Sequence, residues 1–238
     1  MNVFAISRLA TPAPLHDTPL THGVRHRLYR ARAFLLVCAF LSAPALANTE
    51  QMTYRVWVGE RDLGTHEFTI EHEGDTAKVL SQANFEVKAL FVTVFRYRHL
   101  AEEVWHNQCL VELRSETEEN RDRTRIEAAL RDGEFEVIRN GDLLSRTDDC
   151  VGSYAYWDRE RIQRQSYMNA QTGNIEAGTV HVLGKTALPR VMQPAETLHL
   201  VLADAQFRLW YSDSGAWLAM TTERDGREVT YVREDLLD

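Results

Sequence analysis

Six histidines lie beyond residue 47 of the 238-residue chain: His66, His72, His99, His106, His181 and His199. None forms an H-x-H or H-E-x-x-H pattern, so no metal site is expected. His66 shares an apolar strand face with Phe68 and Ile70, where a core or edge histidine is the default. His99, Glu102 and Glu103 are residue types fit for acid–base chemistry. On an extended strand, positions 99 and 103 share a face but stand about 13 Å apart, so they read as surface charge. The chain has no G-x-S-x-G elbow, P-loop or dinucleotide fingerprint, and Ser153, Ser166 and Ser212 have no triad context. Asp148 and Asp149 read as a loop. No catalytic residue, metal or cofactor is therefore expected, and an enzyme is not the favoured reading.

Binding chemistry is better represented. Trp57, Trp105, Trp157, Trp210 and Trp217 accompany Tyr154, Tyr156 and Tyr211. Aromatics of this number either pack a β core or line a concave apolar groove. The candidate binding residues are Trp105, Trp157, Trp210, Tyr211 and Trp217. Two cysteines, Cys109 and Cys150, remain after residue 47, and their even count suits a disulfide in an oxidising compartment.

Hairpins must position these residues. Five two-residue turn signals separate apolar-alternating segments: Gly74-Asp75, Asp132-Gly133, Asn140-Gly141, Ser214-Gly215 and Asp225-Gly226. His66, Phe68 and Ile70 alternate with polar residues, as do Phe207, Leu209 and Tyr211 or Val229 and Tyr231. Period two with charged partners means one buried and one wet face. Segment 89–95, ALFVTVF, is apolar at nearly every position and is expected to cross the core or bend between faces. Residues 153–165, capped by Ser153, read as the single short helix, with Tyr154, Trp157 and Arg161 on one face. A tight Ser214-Gly215 turn would place Trp210 opposite Ala219 and Trp217 opposite Ser212. Both tryptophans would then share one concave face under that helix, with Tyr211 and Leu218 on the other. The expectation is an all-β domain over 48–238: a curved antiparallel meander or incomplete β-barrel of about ten to twelve strands.

Residues 1–47 read differently. Arg25, Arg27, Arg30 and Arg32 precede the apolar run 33–47, which exits through Ala45-Leu46-Ala47. That is the pattern of a signal peptide cleaved after Ala47, and the run is shorter than the about 20 residues a spanning helix needs. Removing its five Arg and one Asp from the 27 basic and 35 acidic residues leaves a net charge of −12. Such a chain is repelled by nucleic acid and anionic surfaces. A periplasmic or secreted location is expected, with no membrane span after cleavage.

The runs YRVWVGERDLGTHEF, FRYRHLAEEVWHNQCLVELRSET, YAYWD, QTGN and LWYSDSGAWL resemble a family of secreted bacterial β-sheet proteins known as a domain of unknown function. The resemblance covers roughly residues 52–232. Its specific pieces are Glu103-x-Trp105 before Cys109-Leu110, Tyr156-Trp157 and Leu209-Trp210-Tyr211. It implies a fold and no activity. More distantly, a meander of this size is similar to the incomplete β-barrels that carry lipoproteins across the periplasm, an analogy of fold alone. The favoured reading is a periplasmic binding or carrier module whose partner is an apolar ligand or an envelope protein. The alternatives are a structural or interaction protein of the envelope without small ligand, and a periplasmic hydrolase.

Overall fold

The computed structural model describes residues 48–89 and 92–237. The expected leader and its cleavage point lie outside the described residues. From Asn48 onward the alternating segments become strands: β1 (Asn48–Val58), β2 (Arg61–Glu73), β3 (Thr76–Ala89), β4 (Val92–His106), β5 (Cys109–Glu119), β6 (Asp122–Arg131), β7 (Glu134–Arg139) and β8 (Asp142–Thr147). Then follow β9 (Gly152–Ser153), β10 (Ser166–Met168), β11 (Ile175–Ala187), β12 (Pro194–Leu202), β13 (Gln206–Tyr211), β14 (Trp217–Arg224) and β15 (Arg227–Arg233).

These fifteen strands form one curved sheet, in the order β8 to β1, then β15 down to β9. The first and last long strands meet in its middle, with Val56 opposite Tyr231 and Val58 opposite Val229. All pairs are antiparallel except β9 with β10. The architecture is the expected one, with more strands than expected. The extra hairpins turn at Gly59-Glu60, Asn107-Gln108 and Asn120-Arg121, two of which have no glycine to announce them. Asn107 and Asn120 themselves take the positive φ, 53° and 57°, a conformation asparagine tolerates better than most residues. Asn120 also pairs with the neighbouring strand: its side-chain oxygen accepts the Arg96 N–H at 3.1 Å.

The sheet curls until its ends approach. The Leu110 N–H donates to the Val151 carbonyl at 2.9 Å, and Cys109 and Cys150 are disulfide-bonded with Cα atoms 5.3 Å apart. Residues 151–168 cross the concave face, burying Val151, Ala155, Trp157, Ile162, Tyr167 and Met168 in the main core. Here the expected helix is absent. Residues 154–165 form successive turns, with one helix-like bond, Ile162 N–H to Asp158 carbonyl at 3.0 Å. Asp158 Oδ1 accepts the N–H groups of Glu160 and Arg161 instead. Tyr154 and Tyr156 both pack against Phe207, a two-residue spacing that a helix would send to different faces. Segment 89–95 also differs from expectation: Lys88 pairs with Thr93 and Ala89 with Val92, so its described residues belong to the facing strands β3 and β4. Among the described residues no helix is long and apolar enough to cross a membrane.

Candidate site: a cavity inside the incomplete barrel

The inner face of β3, β4 and β5 carries small side chains where its neighbours carry large ones. Register places Phe68, Ser81, Ala101 and Ser115 in one row, and His66, Ala83, His99 and Thr117 in the next. All but His66 are buried. Ser81, Ala83 and Ala101 cannot fill the space below the strap of residues 151–168, and a cavity of about 350 Å³ remains. Tyr154, Tyr156 and Trp157 of the strap wall it on one side, and Phe207, Trp217, Met220 and Tyr231 on another. At the end of the barrel where β1 turns into β2, a second cavity of about 520 Å³ is walled by Val56, Val58, Leu63, Phe85, Tyr97, Val229 and Tyr231. Tyr97, Gln171, Arg224, Val229 and Tyr231 belong to both, so the two form one passage.

Polar groups are few, and are buried or half-buried. His66 Nε2 bonds with Ser81 Oγ at 2.7 Å, while its Nδ1 is enclosed without a partner. His99 Nδ1 bonds with Thr117 Oγ1 at 2.9 Å. Burial, helped by neighbouring His99, holds the His66 imidazole down at about 3, and burial holds His99 at about 4. Glu103 Oε2 accepts Trp105 Nε1–H at 2.7 Å and Ser153 Oγ–H at 2.9 Å. Burial nonetheless raises the Glu103 carboxyl.

Ser81 and His66 have the hydrogen bond of a nucleophile and its base. Among the described residues no carboxylate orients Nδ1, and an imidazole held at about 3 is a poor proton acceptor near neutral pH. The arrangement is better suited to lining a cavity than to proton transfer.

The neutral histidines have a consequence for stability. Their folded pKa values lie below the about 6.5 of an unfolded histidine, so the unfolded chain binds more protons between the two values. Their contribution is complete above about pH 6.5 and is lost as pH falls towards about 4. Glu103, with its raised carboxyl, acts in the opposite sense as pH rises. Urea midpoints measured from pH 7.5 to 4.5 should fall, and His66→Gln should flatten that fall. An unchanged slope in the variant would count against it.

The site residues expected from sequence divide. Trp157 and Trp217 line the cavity. Tyr211 and Trp105 are buried behind it, Tyr211 donating to the Tyr156 carbonyl at 2.8 Å and Trp105 meeting Trp157 edge-on at 5.9 Å. Trp210 is not brought to the site. It packs with Leu188, Ala195 and Leu218 in a separate cluster and donates to Thr186 Oγ1 at 2.9 Å. The expected register holds for Trp210 opposite Ala219 but fails at the turn, where Tyr211 faces Trp217. Leu218 is the extra residue of a bulge, and it throws the two tryptophans to opposite faces. His99 and Glu103, expected as surface charge, are inward and buried. His66 stands on the inner face where a core or edge histidine was expected, and Phe85, Tyr97 and Tyr231, not expected as site residues, line the cavities as well. The signal available for Tyr97 and His99 was their even spacing from Trp105.

Residues 54–234 match the model of a domain of unknown function, DUF6134. No curated protein matches the chain. Among solved structures, the chain is similar to a beta-barrel-like protein of domain of unknown function DUF1849 from Brucella abortus, with a TM-score of 0.52 and 13% identity over 79% of this chain and 96% of that one. At that identity the likeness is one of fold. With three quarters of its length matched by a single family model, the chain belongs to the DUF6134 family.

Proposed function

We propose that this protein is exported and holds an apolar ligand inside its incomplete barrel, as a periplasmic binding or carrier module. The observation that carries this reading is the passage itself. A fold free to place leucine or phenylalanine at Ser81, Ala83 and Ala101 instead keeps small residues there, beneath a roof of aromatic side chains. Largely apolar cavities with a few convergent polar groups are the usual form of small-molecule sites. The Cys109–Cys150 bridge suits an oxidising compartment, and the leader pattern of residues 25–47 supplies the export signal. The alternative, an envelope interaction protein, draws on β11, where Val182 and Leu183 are exposed on a stretch whose register pairs it with β12.

The test fills the cavity. Ala83→Phe puts a ring between His66 and His99. Binding of the apolar fluorophore 1-N-phenylnaphthylamine to the folded variant should weaken by at least about tenfold. Native mass spectrometry of the wild-type protein from its own periplasm should show an added small-molecule mass that the variant lacks. Equal probe binding by both would remove the carrier reading and leave the interaction protein.

A further inference from the structure

The mouth of the passage carries a charge pattern that the interior does not. Val229 of β15 faces Val58 of β1, Val58 faces Arg61 of β2, and Val229 also faces Thr222 of β14. One row further out, Arg224 faces Arg227. Arg61, Arg224 and Arg227 thus continue the same inward rows that hold Val58, Val229 and Tyr231, and all three line the outer cavity. Arg224 spans the opening to Glu119 of β5 at 2.9 Å. Neither Arg61 nor Arg227 makes an ion pair among the described residues. Asp225 is the other carboxylate at this mouth.

We infer that the ligand is a single-chain amphiphile with an anionic headgroup, its chain in the passage and its carboxylate or phosphodiester held by Arg61 and Arg227. The inference deepens the carrier reading and rests on it. What sets Arg61 and Arg227 apart is their place: both are exposed at the rim of an apolar cavity whose lining carboxylates are Glu119, already held by Arg224, and Asp225. Guanidinium groups recognise carboxylate and phosphate oxygens through paired N–H donors. Behind them the walls change to Val56, Leu63, Phe85 and Tyr97, which offer an aliphatic chain apolar surface. The order of chemistry along the passage, cationic and then apolar, is that of an anionic amphiphile entering tail first. The acidic remainder of the chain opposes a flat anionic membrane surface, so a single molecule, rather than a bilayer, is the fitting occupant.

The experiment compares matched pairs by titration at low ionic strength, below their aggregation concentrations. The pairs are myristate against methyl myristate, and myristoyl lysophosphatidylglycerol against myristoyl lysophosphatidylcholine. At least one anion should bind about tenfold or more tightly than its uncharged or zwitterionic mate, and the ratio should shrink as salt rises. Arg61→Gln with Arg227→Gln should bring that ratio close to one. Arg208→Gln, on the outer face of β13, should keep it. Which pair shows the preference separates carboxylate from phosphodiester. Equal binding of anions and mates, or a preference that survives the double substitution, overturns the inference and leaves the carrier reading standing. Failure of every amphiphile to bind overturns the carrier reading itself.

Discussion

Trp217→Ala should destabilise the protein by about 3–5 kcal/mol and abolish apolar probe binding. The Trp217 side chain is fully buried. It stacks on Tyr54 at 3.9 Å and meets Phe68 and Tyr156 at 5.5 Å each. Its Nε1–H donates to the Ala219 carbonyl at 2.9 Å, and its own carbonyl accepts the Tyr54 hydroxyl at 3.0 Å. Truncation therefore opens a large cavity beside an existing one, and the strap of residues 151–168 loses the surface it rests on. Total stability of a domain is commonly only about 5–15 kcal/mol, so the loss is readable in urea unfolding. Trp210→Ala is the control. It is nearly as buried, so stability should again fall by about 3 kcal/mol or more. It belongs to the cluster on the other face, however, so the folded variant should bind the probe as the wild type does. Loss of probe binding in Trp210→Ala, or its survival in Trp217→Ala, would contradict this division of faces.

That division marks where sequence pattern stops being informative. Alternation made the meander legible because a strand with one wet face must place charge at every second position. Asp132-Gly133 and Asn140-Gly141 turn as their residue types require, with both central residues at positive φ. In Trp217-Leu218-Ala219-Met220, every residue is apolar. A one-residue slip there exposes no charge, so nothing in the sequence opposes the Leu218 bulge. The phase of β4 was hidden for the opposite reason. His99 and Glu103 point inward while Leu100 is 41% exposed, because Tyr97, Ala101 and Trp105 set the buried face and carry the polar residues with them. An interior cavity is the circumstance in which a strand can keep histidine and glutamate on its inner face. The residues that misled the sequence reading are therefore among those that line the site. The strap was hidden too, since Tyr154, Trp157 and Arg161 fit a helical face. Arg161 does reach Trp157, with its guanidinium 5.2 Å from the ring centroid, but it does so through turns.

Removing the disulfide by Cys109→Ser with Cys150→Ser should cost about 4 kcal/mol, the loop-closure value for a separation of 41 residues. Cys109 opens β5 near the wall of the cavity. Cys150 stands just before β9 at the far end of the sheet order, where the strap begins. The bridge thus fastens the β9 end of the curled sheet to β5, the fourth strand from its other end, beside the Leu110–Val151 backbone bond. Neighbouring polar contacts are weaker fasteners. Arg164 reaches Gln108 at 2.9 Å and Arg161 the Asn107 carbonyl at 2.9 Å, and exposed contacts of this kind contribute about 1 kcal/mol or less each. The strap should therefore loosen before the long hairpins do. Hydrogen exchange in the double variant should accelerate over residues 150–168 well beyond any change in β2 and β3, with probe affinity falling in parallel, since the strap roofs the cavity. A variant within about 1 kcal/mol of wild type would mean that the unfolded chain already holds these segments together. A uniform acceleration across the sheet would mean that strap and sheet unfold as one unit, leaving no independent route for a ligand to enter beneath the strap.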